Sequence, residues 1–589
     1  MKGNAGMKRL PKVLAMALAV AAVQCGFASS ATEGMTFDRI YDGVVSQDVA
    51  DWSSGLGANF TLAANSTVGI TNGTFTTTTK TKASSIGAGA TFVALKGATL
   101  KATGERAFGF SSSSGKFVAD EGATLNIYPK SNTEAYFGDK ATSCSWEILN
   151  GSSLKTAGQD AQTTCRTIRG TGNRIVVCGG STFDASASHA TQYKGRQLRF
   201  ASATDCALAI SNSTLKLNGE AFSFENTKGS LASFHNATVS GSAELSINSA
   251  SASNTVEVCG ASGSWGFTGV TMDGTDNVFR IGDATVGSSI VVTGLNNRVE
   301  LSGAGYDWSK CRLDGDGGTV ALLPGGVRKT EYAEFPVFGS GTNGVIDING
   351  GSCVFQRAIT FSGSNAAVRV RRGGKLIGAT YNDTRCRQAL NFTAGATSNF
   401  HLQIEEDGVL EVSNSVCASG MDLKSHYNWT NCPNSSITFK GRNPRFTVAG
   451  ADGYIGMALG TPDEEPLVDP VVLRFEVPAE GYAAAPIQHA QKTREIALCG
   501  NQPIEVVVDS EMLAKPHAKI VIPLIYDRAG FHTTDNHSMN VPLTEARLRL
   551  LQANATLPEG AYFKVTSETA GKTLNVIIPS NMGLTVILK

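Results

Sequence analysis

Arg174-Ile175-Val176-Val177-Cys178-Gly179-Gly180-Ser181-Thr182-Phe183-Asp184 decides the fold. Ile175 and Val177 alternate with a tolerant position, so period two places both on one face of a strand. Gly179, Gly180 and Ser181 then supply a corner, because such residues accept positive φ or bond to their own backbone. Phe183 resumes the buried face beyond that corner. Looser copies of this stretch recur along most of the chain.

Working outward, Val68 and Ile70 lead to Phe75, Val93 and Leu95 to Leu100, Phe117 and Ala119 to Leu125, and Trp146 and Ile148 to Leu154. Leu208 and Ile210 lead to Leu215, Ala232 and Phe234 to Val239, and Val256 and Val258 to Trp265. Phe279 and Ile281 lead to Val286, and Val299 and Leu301 to Tyr306. Fainter copies pair Ile346 and Ile348 with Val354, Val368 and Val370 with Leu376, and Leu402 and Ile404 with Leu410. The step is mostly about 20–29 residues, the range of stacked-repeat architectures. Longer steps from Val177 to Ile210, Val370 to Ile404 and Ile404 to Phe439 read as loop insertions.

A strand pair with one apolar face is unstable alone, but stacked turns bury a continuous core. Neither a leucine-rich pattern with its fixed Asn, nor paired helices, nor a Trp-Asp blade signature is present. The expected fold class is all-β: a right-handed parallel β-helix (solenoid) over residues 67–455. Residues 32–66 are expected to cap its first turn, since an open solenoid end is an exposed edge. The stretch 461–470 reads as a linker or turn. A small C-terminal β-rich module follows over 471–589. Its strand candidates are Val471 to Val477, Ile504 to Asp509, Lys519 to Tyr526, Tyr562 to Ser567 and Leu574 to Ile578. The stretch Glu568 to Lys572 reads as a hairpin loop, and Thr544 to Ala553 as one short helix behind a Thr cap.

Residues 1–31 read as a secretory signal peptide. Lys2, Lys8, Arg9 and Lys12 form a basic region, Val13 to Val23 an apolar run too short to span a bilayer, and Ala28 to Ala31 a small-residue cleavage region. Gln24 before Cys25 departs from a lipobox. The implied location is secreted or cell surface. With Lys+Arg 50 against Asp+Glu 50, no field favours nucleic acid or anionic membrane. Gly 65 of 589 and charged residues at 17%, against ~7% and ~25% in average proteins, suit a loop-rich exported β protein. Of 12 cysteines, all but Cys25 belong to the mature chain, an odd number in a compartment that permits disulfides. Cys144 with Cys165, and Cys417 with Cys432, are the expected pairs, while Cys178 and Cys259 read as inward, buried strand-end residues.

Four clusters invite chemistry. His532, Asp535 and His537 could hold a divalent metal, but read more simply as a polar loop. Asp314 and Asp316 have the spacing of a calcium loop without its later Glu, which favours a solenoid corner. Arg369, Arg371 and Arg372 could meet acidic glycans, yet Arg369 and Arg371 alternate with Val368 and Val370 as a solvent face would. Glu405, Glu406 and Asp407 are acids at a corner. No catalytic, cofactor or metal residue is assigned.

Gly172 to Phe183, Lys96 to Leu100 and Asp120 to Leu125 carry a Gly-Asn-x-φ-x-φ and Gly-Gly-Ser/Ala-Thr-φ pattern. It resembles the passenger repeats of bacterial autotransporter-like and adhesin-like surface proteins, of the pectin-lyase-like superfold. That resemblance implies an exported, non-catalytic protein that adheres, shields or presents, with glycans or host cell-surface components as partners. A membrane barrel is not expected in 471–589, which holds too few strands of suitable length. The alternative is a polysaccharide lyase or hydrolase on a β-helix. None of the pectin-hydrolase motifs Asn-Thr-Asp, Asp-Asp, Gly-His-Gly and Arg-Ile-Lys occurs.

Overall fold

The structure, a computed structural model, describes residues 35–42, 61–79, 85–104, 109–110, 113–129, 135–137, 141–156, 166–186, 196–219, 221–307, 310–330, 342–355, 359–378, 390–412, 431–448, 468–489, 496–497, 503–514, 517–528, 531–535, 538–542 and 544–581. The expected signal peptide lies outside them, as does most of the 461–470 stretch. The chain is an all-β, right-handed parallel β-helix closed by a small C-terminal β-rich cap. It divides into two compact units: residues 1–299 with 305–310, and residues 300–304 with 311–589.

In the first unit the coils from Ser145 to Ile247 feed three parallel sheets, while the coils of Thr255–Cys259 and Val278–Ile281 add no strand to the second. One sheet takes Thr67–Thr71, Thr91–Leu95, Lys116–Ala119, Ser145–Ile148, Arg174–Cys178, Ala207–Ser211, Leu231–His235, Thr255–Cys259 and Val278–Ile281. The second takes the segments after the corner, such as Thr182–Asp184 and Thr214–Lys216, and the third takes Arg166–Thr171, Arg196–Thr204 and Ala221–Glu225 among others. Cα register runs Ile175–Leu208–Ala232–Val256–Phe279 and Val177–Ile210–Phe234–Val258–Ile281. All ten side chains are buried. Phe183 aligns with Leu154 and Leu215 in the second sheet, so the corner in the founding stretch joins two faces of one coil. Aromatic residues stack along the core, with the Phe117 and Trp146 rings 4.2 Å apart.

Each corner preceding the first sheet has one pattern. Ser143, Gly172, Asp205, Gly229, Ser253, Asp276 and Asn296 all have positive φ, between 52 and 67°. The next residue of each coil turns inward: Cys144, Asn173, Cys206, Ser230, Asn254, Asn277 and Asn297, all buried. Asn277 Oδ1 accepts from Asn254 N and Nδ2, both at 3.0 Å. Asn297 Oδ1 accepts in turn from Asn277 N at 2.8 Å and Nδ2 at 3.1 Å. Such a ladder satisfies corner amides that the sheet cannot pair.

Three expectations are corrected by register. Val68 and Ile70 align with Phe92 and Ala94, so Val93 and Leu95 face outward, although both are buried. The run Phe92-Val93-Ala94-Leu95 is apolar on both faces, so alternation alone leaves its phase open and one slip exchanges the faces. The outward side chains Val93, Leu95, Val118, Leu149 and Cys178 form an apolar cluster covered by Met35 and Phe37. Phe37 lies so close to Gly69 that a Cβ there would be 2.9 Å from its ring. Cys178 is therefore buried on the outer side, not inward, and Cys259 is its half-buried counterpart. Likewise Cys353, not Val354, aligns with inward Leu376. Arg39–Asp42 adds a parallel strand beside Thr67–Thr71, anchored by Thr67 N donating to Asp38 Oδ2 at 2.6 Å.

In the second unit one sheet takes Thr319–Leu322, Gly344–Asn349, Ile359–Arg371, Leu390–Ile404, Ser436–Lys440, Val472–Val477 and Ile504–Val508. Its partner sheet takes Val327–Thr330, Ser352–Phe355, Lys375–Gly378, Val409–Val412, Arg445–Val448, Ile487–His489 and Ile520–Asp527. Part of the extra length between Val370 and Ile404 is strand rather than loop, since Leu390–Ile404 pairs along Ile359–Arg371. Parallel pairing continues past residue 471, through Val472–Val477 to Ile504–Val508. Gly571–Ile578 then pairs antiparallel with Ile520–Asp527, and Tyr562–Glu568 with Gly571–Ile578. This hairpin turns at Thr569 and Ala570 and covers the last parallel edge. Helix α1 (Ser510–Ala514) and helix α2 (Glu545–Ala553) lie in this region. Leu551 of α2 is buried and Leu548 half-buried.

Candidate functional site

Stacking gathers charged side chains from distant residues on the outer face of the second unit's first sheet. Asp347, Arg369, Gln403, Thr438, Arg474 and Glu505 occupy one register row. Arg371, one position along, donates from Nε and Nη2 to the two oxygens of buried Asp347 at 2.8 and 2.7 Å. This bidentate pair raises the Arg371 pKa. Arg369 Nε donates to Gln403 Oε1 at 3.0 Å, and Arg474 bridges Glu476 and Glu505, each at 3.0 Å. Arg369 and Arg371 thus sit on the solvent side of a strand, as their alternation implies, and Arg372 takes positive φ at the corner. On the same face His401 Nδ1 meets Ser436 Oγ at 2.9 Å and His401 Nε2 meets Asn399 Oδ1 at 3.1 Å. Burial, and then the Arg474 charge, hold the His401 pKa below its ordinary value.

The corner at the end of these strands forms a cleft. Strand Leu390–Ile404 ends in Glu405, Glu406 and Asp407, and the next coil turns through Gly441, Arg442, Asn443 and Pro444. The following coil lengthens its corner over 478–486. Tyr482 ties that extension down by donating its hydroxyl to Phe439 O at 3.0 Å, and Ala483 N donates to Arg442 O at 3.0 Å. Beside this ledge Asp407, Asn443, Pro444, Arg445, Ala484 and Gln488 line a cavity of about 360 Å³. Asn443 Nδ2 donates to Asp407 Oδ1 at 3.2 Å, and Gln488 Nε2 donates to Ala485 O at 3.0 Å. Glu406 is engaged elsewhere, its Oε2 accepting from Arg442 N. Of the corner acids singled out in the sequence, only Asp407 lines the cavity. Asn443, Arg445 and Gln488 carry no signal in one dimension, because they are far in the chain from Asp407 and ordinary in type.

The other sequence candidates resolve as structural elements or stay unplaced. Asp316 Oδ1 accepts from Thr342 N at 2.9 Å and Oγ1 at 3.0 Å, which lowers its pKa, and Arg312 pairs with Asp314. That stretch is a solenoid corner. Phe531–Asp535 is a strand paired with Ser538–Pro542 rather than the expected loop, while His537 lies outside the described residues. Among the described residues no group of three or more His, Cys, Asp or Glu is placed to hold a metal ion. Cys144 and Cys432 are buried, and their expected partners, Cys165 and Cys417, lie outside the described residues. Sequence reading also misses a Cys–His contact: His235 Nδ1 is 3.0 Å from Cys259 Sγ. Burial, then Glu257 and Asp283, push that thiol up to about 12, the opposite of what an activated nucleophile needs. In the last coils His489 and Asp527, both fully buried, meet at 3.0 Å.

Compared with protein-family models, with curated proteins and with solved structures, the chain matches none. No helix among the described residues is long and apolar enough to cross a membrane.

Proposed function

We propose that this chain is an exported, non-catalytic β-helix protein of the cell surface or extracellular space, adhesin-like or structural, acting by binding or presentation. The observation that carries the reading is the use made of outer-face charge. Arg371 with Asp347, Arg474 with Glu505, Lys116 and Arg174 with Glu147, and Arg199 with Glu225 are all ion pairs between residues of different coils. Charges engaged in this way brace a stack; a reaction centre instead needs poised acids, bases or ligands converging on a substrate. The elevated Cys259 thiol supports the same view. The basic, apolar and small-residue segments of residues 1–31 support export. N-terminal sequencing of the secreted protein is expected to begin after Ala28 or Ala31, and an intact Met1 would remove that part of the proposal.

A second reading, an acidic-polysaccharide lyase or hydrolase, draws support from the gathering of Arg369, Arg371, His401 and carboxylates on one face. One assay separates the two. The full exported chain is incubated with polygalacturonate, with and without calcium, and both reducing ends and unsaturated products are followed. No product above the blank, with retention of the protein on cells or immobilised glycans, is the expected result. Product formation that depends on Arg369 or His401 would replace the non-catalytic reading.

A further inference from the structure

The cavity of about 360 Å³ at the Asp407 corner stands at the small end of ligand clefts, roughly 300–1,000 Å³. Its wall carries both acceptors and donors. Asp407 has a second carboxylate oxygen beyond the one held by Asn443, and the amide oxygens of Asn443 and Gln488 are acceptors while their amide nitrogens donate within the wall. The exposed Arg445 guanidinium adds several donors and makes no ion pair among the described residues. Neighbouring hydroxyls of a sugar both donate and accept, so they match such a wall. One carboxylate and one guanidinium cancel, so the lining shows no preference for a ligand of either net charge. Buried Pro444 and exposed Ala484 are the apolar residues of the lining. The ledge over 478–486, fixed by Tyr482 and Ala483, holds the walls apart before any ligand arrives.

From this geometry we infer that the cleft lined by Asp407, Asn443, Arg445 and Gln488 is a binding site for a neutral saccharide. It rests on the reading of the chain as a binding protein and names the ligand class. Asp407 and Asn443 Oδ1 accept from adjacent hydroxyls, while Arg445 donates to their oxygens. The volume suits a short saccharide or a chain end rather than the interior of a long polymer. With few buried apolar contacts, affinity is weak for one site and useful only where many ligands are displayed.

The test is saturation-transfer NMR on the full exported chain with glucose, galactose, mannose, N-acetylglucosamine and their disaccharides, with glucuronate as a charged comparison. At least one neutral sugar is expected to bind saturably in the millimolar range, little affected by salt. Asp407→Asn keeps the side-chain shape and tolerates the positive φ at this position, and with Arg445→Gln it is expected to weaken that signal at least tenfold. Arg312→Gln, on the strand Cys311–Leu313 and outside the lining, is the control and retains it. Circular dichroism and melting of each variant establish that it is folded. No sugar signal, or a signal unchanged in both folded cleft variants, overturns the site. Tighter, salt-sensitive binding of glucuronate overturns the neutral assignment. If the folded cleft variants keep the parent's sugar signal while parent and variants adhere to cells alike, the cleft inference fails and the binding function stands; sugar turnover would sink the non-catalytic reading itself.

Discussion

Asn277 shows how much one residue contributes in a stacked fold. Its side-chain oxygen accepts from two donors of Asn254, and its amide donates to Asn297. Asn277→Ala leaves Asn254 N without this acceptor and Asn254 Nδ2 with only Thr227 O at 3.5 Å, and is expected to cost about 2–4 kcal/mol of stability, measured by denaturant unfolding. His401 carries a pH prediction. Its folded pKa is lowered, while in the unfolded chain it titrates near ~6.5. The unfolded state therefore takes up the proton first, so stability is complete above about pH 6.5 and declines as pH falls through the lower folded value. His401→Asn is expected to flatten this part of the melting-temperature profile; an unchanged slope would assign it to other groups.

At the scale of the element, the strand Leu231–His235 is held on both sides, by Ala207–Ser211 and Thr255–Cys259. Phe234 sits between Ile210 and Val258 and packs edge-on against Trp265, with centroids 5.7 Å apart. Phe234→Asp would bury an unpaired charge in a core shared by adjacent coils. The expected outcome is loss of cooperative unfolding, or a melting temperature lowered by many degrees, with proteolysis opening several coils together. An unchanged melt would contradict the packing. The founding stretch was legible at this scale: Ile175, Val177 and Phe183 all face the core. The phase of Phe92 to Leu95 was not, because both of its faces are apolar and only pairing with Thr67–Thr71 chooses between them.

For the whole molecule the exposed risk is an open end. Tyr562–Glu568 and Gly571–Ile578 cover the edge of Ile520–Asp527, with Leu574, Val576, Ile577 and Ile578 buried. Deleting residues 562–589 bares a parallel-sheet edge and those apolar contacts, so the shortened chain is expected to self-associate. Light scattering at increasing concentration checks this, and a monodisperse monomer would show that the hairpin is dispensable. Among the described residues Cys206, Cys311 and Cys353 are buried, with the first two thiols pushed to about 11 and about 12.

The sequence by itself determined the class of this protein. Period-two alternation and corner residues are local properties repeated every coil, so they are written along the chain and read directly as a parallel solenoid. The hairpin of the C-terminal module and its helix are equally local. Only the tertiary structure decided which residues meet across coils. The Asn254–Asn277–Asn297 ladder, the Arg371–Asp347 pair and the cleft of Asp407, Arg445 and Gln488 join positions about 20 to 80 residues apart. Corners and insertions vary in length, so the residue that faces a given one on the next coil lies at no fixed spacing along the chain. These contacts therefore lie in the register between coils, which alternation within a coil does not specify.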